Sequence, residues 1–221
     1  MTLRNAKAVI FDVDGVLVDS ESIWEKSHTR ALREEGILID TQFYIHHGVS
    51  REPRDFYTDA FVANNKKLTE SIFQRIHARR ALIYESYLRS EAIAQIENAV
   101  ELVQRLFELG KPLAVASAAQ KEELHLMLQT IHVLKYFSVV VAGGEYGLPR
   151  KPAPDVYLKT AELLGVSPKD CVAIEDSQNG TRSAIDAGMT CLVVPNRYTK
   201  NHIFPSGAIV TSFFKLLDSL R

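Results

Sequence analysis

Two rhythms of apolar residues divide the chain. Ala6 to Phe11 is a short run rich in β-formers, and it predicts a strand buried on both faces. From about Ser20 to Arg89 the apolar residues recur at helical spacing. In "SIWEKSHTRALREEG", Ile23, Trp24, Ala31 and Leu32 share one face, and Gly36 fits a C-terminal cap. A longer helix is predicted across Leu68 to Leu88, with Ile72, Phe73, Ile76, Ile83, Tyr84 and Tyr87 on one side. No strand is expected in this block.

After about residue 95 helix and strand alternate. "NAVELVQRLFELGK" predicts a helix with Asn98 as its N-cap and Gly110 as its stop. "PLAVASA", "FSVVVAGG", "CVAIED", "TCLVVP" and "AIV" predict strands. "KEELHLMLQTIHVL", "PDVYLKTAELLGV", "NGTRSAIDAG" and "SFFKLLDSL" predict helices. Such alternation predicts an α/β fold: a doubly wound parallel sheet with helices on both faces. The helical block is then an insertion after the first strand. We expect a core domain at residues 1–16 and 96–221 and an inserted helical domain at 17–95.

Composition narrows the function more by exclusion than by direction. The chain has 221 residues, 46% hydrophobic and 24% charged, as in ordinary globular proteins. With 26 Lys+Arg against 27 Asp+Glu the net charge is -1, so no global basic field argues for nucleic acid or an anionic membrane. No apolar run approaches a membrane span. The opening "MTLRNAKAVIFDVDG" does not read as a signal peptide, because its apolar run leads straight into acids. Cys171 and Cys191 each lie in an apolar strand-like segment and read as buried thiols. A cytoplasmic monomer is the simplest expectation.

In parallel sheets of this kind ligands bind beyond the carboxyl ends of the strands. The first predicted strand ends in Asp12 and Asp14, the second in Ser117, and the fourth in Glu175 and Asp176; Lys151 precedes the fourth. Four acids, a hydroxyl and a lysine therefore converge on one edge. Isolated buried carboxylates are costly, so a cation is their expected partner. Asp12, Asp176 and Glu175 are hard oxygen ligands suited to Mg²⁺, which also pairs with substrate phosphate. A carboxylate beside a cation and a lysine stays ionised, so Asp12 is a candidate nucleophile on phosphorus. Asp14 is placed to protonate a leaving oxygen and later to deprotonate water. Lys151 and the Ser117 hydroxyl would hold phosphoryl oxygens, with the backbone N–H groups that follow.

"DVDGVLVDSE", "ASAA", "RKPAPD" and "IEDSQNG" resemble, in order and spacing, the four motifs of the haloacid dehalogenase-like superfamily. The resemblance covers nearly the whole chain and looks closest to the branch of β-phosphoglucomutases and small sugar-phosphate phosphatases. It implies a Rossmann-like core with an inserted helical cap. It implies that Asp12 becomes a phosphoaspartate and that Asp14 is the general acid/base and lends its main-chain carbonyl to Mg²⁺. Ser117, Ala118 and Lys151 would bind phosphate, and Glu175 and Asp176 would complete the metal site. "GVSRE", residues 48–52, is similar to a cap segment of the mutases, which makes Arg51 a candidate for substrate binding. Arg79 and Arg80 are candidates for a second cationic contact. The mutases carry a lysine where His47 stands and a histidine where Trp24 stands. These departures favour an Mg²⁺-dependent phosphatase acting on a small phosphate ester, with mutase chemistry as the alternative.

Overall fold

In the computed structural model, which describes residues 1–49, 51–90 and 93–221, the first apolar run forms strand β1 (Ala8–Phe11), with all four residues buried. It lies in the middle of a parallel sheet. The other strands are β2 (Leu113–Ser117), β3 (Val139–Ala142), β4 (Cys171–Glu175), β5 (Thr190–Val193) and the short β6 (Ile209–Val210). Their order is β3-β2-β1-β4-β5-β6. Chain order thus runs outward from β1 in one direction as far as β3 and restarts on its other flank with β4. A doubly wound sheet opens its ligand crevice at such a reversal. The register pairs Phe11 with Ile174, so Asp12 and Glu175 emerge side by side at the strand tips. The Asp12 N–H still donates to the Ile174 carbonyl at 3.0 Å.

The chain divides into two compact units, one of Met1–Asp19 and Ala94–Arg221, the other of Ser20–Ile93. Among the described residues the second unit contains α1 (Ser20–Glu34), α2 (Thr41–His47), α3 (Pro53–Ala63) and α4 (Glu70–Arg89), and no strand. α1 and α4 pack together; α1 buries Ile23, Ala31 and Leu32, and α4 buries Ile76, Ile83 and Tyr84. The two short helices have no separate signature in the periodicity of the chain. α2 buries only Tyr44, and its start depends on the Asp40 carboxylate accepting from the Phe43 N–H at 2.7 Å. α3 has Pro53 in its first turn and buries Phe56, Tyr57, Ala60 and Phe61.

The sheet of the first unit is covered by α5 (Ala99–Glu108), α6 (Lys121–Thr130), α7 (Asp155–Leu164), α8 (Gln178–Asp186) and α9 (Phe213–Asp218). Asn98 stands at the N-cap of α5, but the expected capping bond is not made. Its backbone is left-handed, with φ 64°, and its side chain accepts nothing from the first turn. The burial of Ala99, Leu102, Val103 and Leu106 holds that helix in place instead. Ile10 sits at the centre of one face of the sheet, among Ala116, Tyr157, Ala173 and Cys191, fully buried. No helix among the described residues is long and apolar enough to cross a membrane.

Ile10 is fully buried in the core cluster of the sheet, so truncating its side chain leaves a cavity. Ile10→Ala should therefore lower unfolding free energy by about 2–5 kcal/mol, read as a lower urea midpoint with an unchanged slope.

Candidate active site

Lys151 is the pivot of the strand-end cluster. Its side chain is about one-tenth exposed, and its ammonium lies 2.8 Å from Asp12 Oδ1 and 2.7 Å from Glu175 Oε1. It also donates to the Ala116 carbonyl at 3.1 Å, where β2 ends. One cation thus ties together the tips of β1, β2 and β4. Burial opposes its charge, but Asp12 and Glu175 outweigh that effect and hold its pKa above the usual lysine value.

Glu175 is fully buried and engaged at both oxygens. Oε1 accepts from Lys151 and from the Tyr157 hydroxyl at 2.8 Å. Oε2 accepts from the Asp176 N–H at 3.2 Å and the Ser177 hydroxyl at 3.2 Å. Gly180 in the first turn of α8 permits this packing, since a Cβ there would overlap the carboxylate. Asp176 is also buried, and its Oδ2 accepts from Asn196 Nδ2 at 2.7 Å. Asp14 is half-buried in the tight turn after β1, in which the Gly15 N–H donates to the Val18 carbonyl at 2.8 Å. Gly15 has φ +74°, and a Cβ there would run into Asp176 and Asn196. Ser117 is fully buried at the tip of β2, and its Oγ accepts from the Ala119 N–H at 3.1 Å. Ala118 beside it is exposed.

The charges do not balance. Carboxylate oxygens of Asp12, Glu175 and Asp176 all lie within 4.8 Å of one another, against one lysine. Burial drives the pKa of Asp12 up to about 8; Lys151 opposes this, and the charges of Glu175 and Asp14 add to it. The donor set is oxygen alone, which matches a hard divalent cation such as Mg²⁺. A cation there would restore the missing positive charge, so the residues present fit the metal.

The cluster brings together Asp12, Lys151, Glu175 and Asp176, with Ser117 at the neighbouring strand tip. Residues singled out in the helical unit have other partners within it. Arg51 lies 2.6 Å from Asp59, to which His47 also bonds at 3.0 Å. Ser50, inside "GVSRE", is outside the described residues. Arg79 forks onto the exposed Glu34 at 2.7 and 3.0 Å. Arg80 is buried, with its guanidinium 4.7 Å above the Trp24 ring, and Trp24 stacks on Tyr84 at 4.0 Å. Two contributors to the cluster escape a reading of motifs. Tyr157 looks like one more apolar-face residue of α7, yet its hydroxyl serves Glu175 and its ring lies 4.7 Å from the Lys151 ammonium. Asn196 follows β5, and asking what every strand carries at its tip would have found it.

Residues 9–194 match the family model described as haloacid dehalogenase-like hydrolase. The chain belongs to that family. It is 30% identical over 215 residues to the plasmid-encoded protein CbbY of Cupriavidus necator, covering 92% of this chain and 84% of that one. It is 30% identical over 204 residues to hexitol phosphatase B of Escherichia coli, covering 90% and 88%. Among solved structures it is similar to a hydrolase of the family from Deinococcus radiodurans with bound phosphate and sodium. That match has a TM-score of 0.77 and 26% identity, over 98% of this chain and 95% of that one.

The raised pKa of Asp12 has a sign that can be checked. In metal-free protein its protonated form favours the fold below about pH 4, and this contribution is lost as the pH rises through about 8. In EDTA, the wild type should lose thermal stability relative to Asp12→Asn between about pH 5 and pH 8. Melting curves of both proteins at the two pH values measure this, and parallel behaviour would contradict it.

Proposed function

We propose that this hydrolase is an Mg²⁺-dependent phosphatase acting on a small phosphorylated metabolite of the sugar-phosphate class. The observation that carries the reading is the buried acidic cluster clasped by Lys151 at the carboxyl ends of β1, β2 and β4. The likeness to a hexitol phosphatase and to a phosphate-bound structure of the family supports the substrate class.

A carboxylate of Asp12 attacks phosphorus and forms an aspartyl phosphate as the bond from phosphorus to the substrate oxygen breaks. Asp14 gives its proton to the departing oxygen, which leaves as an alcohol. It then takes a proton from water, whose oxygen attacks the same phosphorus. The bond from phosphorus to Asp12 breaks, inorganic phosphate leaves, and both aspartates return to their starting states. Lys151 and the Ser117 hydroxyl hold phosphoryl oxygens, with the backbone N–H of Ala118 beside them. Asp12, Asp176 and the backbone carbonyl of Asp14 would hold the metal, with Glu175 beside them fixing Lys151 and the start of α8. When bound, the metal neutralises phosphoryl charge and keeps Asp12 ionised. Substrate choice is assigned to the helical unit of Ser20–Ile93, with Arg51 as the candidate substrate-binding residue within it.

The test is inorganic phosphate release from a panel of sugar phosphates, with Mg²⁺ or EDTA, for wild type and Asp12→Asn. Release should require both Mg²⁺ and Asp12, with at least a 10³-fold loss in the variant, roughly 4 kcal/mol of barrier. No release, with one hexose phosphate converted into another, would replace hydrolysis by the mutase reaction.

A further inference from the structure

The loop after β5 carries no motif, yet it reaches the centre of the cluster. Asn196 Nδ2 donates to Asp176 Oδ2 at 2.7 Å and to the Gly15 carbonyl at 3.2 Å. Its Oδ1 accepts from the Tyr198 N–H at 2.8 Å and the Thr199 N–H at 3.3 Å. A carboxamide has two donor hydrogens on nitrogen and an acceptor oxygen. Two backbone N–H groups on the oxygen side leave only one way round for the amide. Its nitrogen must face the carboxylate and the carbonyl. The loop behind it is anchored, because Tyr198 and Thr199 are buried and the Asn196 N–H donates to Thr199 Oγ1 at 3.1 Å.

We infer that Asn196 is a positioning residue: it clamps the loop after β1 to the carboxylate of Asp176 and so sets how that carboxylate meets a divalent cation. The inference rests on the metal-dependent reading above. Two separate loops, one after β1 and one after β4, must present oxygens to the same ion. Asn196 is a neutral bridge between them. It holds one Asp176 oxygen without adding charge to a site that already has too many negative groups. A lysine in its place would compete with the cation, and a carboxylate would repel Asp176. Outer partners of this kind commonly change metal affinity 10- to 100-fold when removed.

Asn196→Ser separates orientation from loop structure. A serine hydroxyl can still accept from the following N–H groups, as in turns of this type, but it is too short to reach Asp176. The measurement is Mn²⁺ binding to the full chain by electron paramagnetic resonance, for wild type, Asn196→Ser and Asn196→Ala, beside melting curves in EDTA. Both variants should bind Mn²⁺ about 10-fold more weakly or worse, with EDTA melting of Asn196→Ser close to wild type. In phosphate release, the Mg²⁺ concentration for half-maximal rate should rise by more than kcat falls. Unchanged Mn²⁺ affinity in folded variants would overturn the inference. So would a collapse of EDTA melting in both variants, which would assign Asn196 to the loop alone. If the wild type itself binds no Mn²⁺, the metal-dependent reading fails first and takes this inference with it.

Discussion

The tips of three strands depend on one buried ammonium. Lys151 touches a carboxylate at the tip of β1, a carboxylate at the tip of β4 and a carbonyl at the tip of β2. Removing the lysine would leave two buried carboxylates without their cation. An unpaired buried charge costs several kcal/mol, far more than an exposed ion pair contributes. The arrangement therefore stays fixed even though the cluster has an excess of acid. That excess leaves the cluster two positive charges short, the deficit that a divalent cation would fill.

Around this pivot the fold supplies rigidity of two kinds. The parallel register brings Asp12 and Glu175 to adjacent positions on neighbouring strands, so their spacing is set by backbone pairing rather than by side-chain rotamers. Small residues then let polar groups come close. Gly15 and Gly180 stand where any side chain would displace an acid of the cluster. Phosphoryl transfer depends chiefly on positioning and charge, and both are built here from strand ends and tight turns.

Much of this was legible in the chain before its structure. Runs buried on both faces, such as Ala8–Phe11 and Cys171–Glu175, announce parallel strands because no polar residue interrupts them. Asp12, Ser117, Glu175 and Asp176 stand out because polar groups ending such runs must meet partners, and Lys151 because it stands in "RKPAPD" before the fourth run. What stayed hidden has equally physical causes. Asn98 has the identity of an N-cap but a left-handed backbone, which no periodicity reveals. The helix at Thr41–His47 buries too little apolar surface to leave a pattern. Tyr157 acts through a hydroxyl at the end of a ring that packs as any core aromatic would, and Asn196 lies in a loop whose course is decided only by folding.

The turn after β1 also bears on how the chain assembles. The Asp19 N–H donates to the Ala94 carbonyl at 2.8 Å and the Ile96 N–H to the Leu17 carbonyl at 2.9 Å. The chain therefore departs toward the helical unit and returns from it at neighbouring points. β1 and β2 pair although roughly 100 residues separate them, and most of that distance is the helical unit. If that unit folds first and brings its ends together, the loop that must close to pair β1 with β2 shrinks about fourfold. The entropy saved is only about 1 kcal/mol, because closure varies with the logarithm of loop length. An insertion of this size at this point is thus a mild burden on assembly, and the sheet can carry it without change to the strands that hold Asp12 and Ser117.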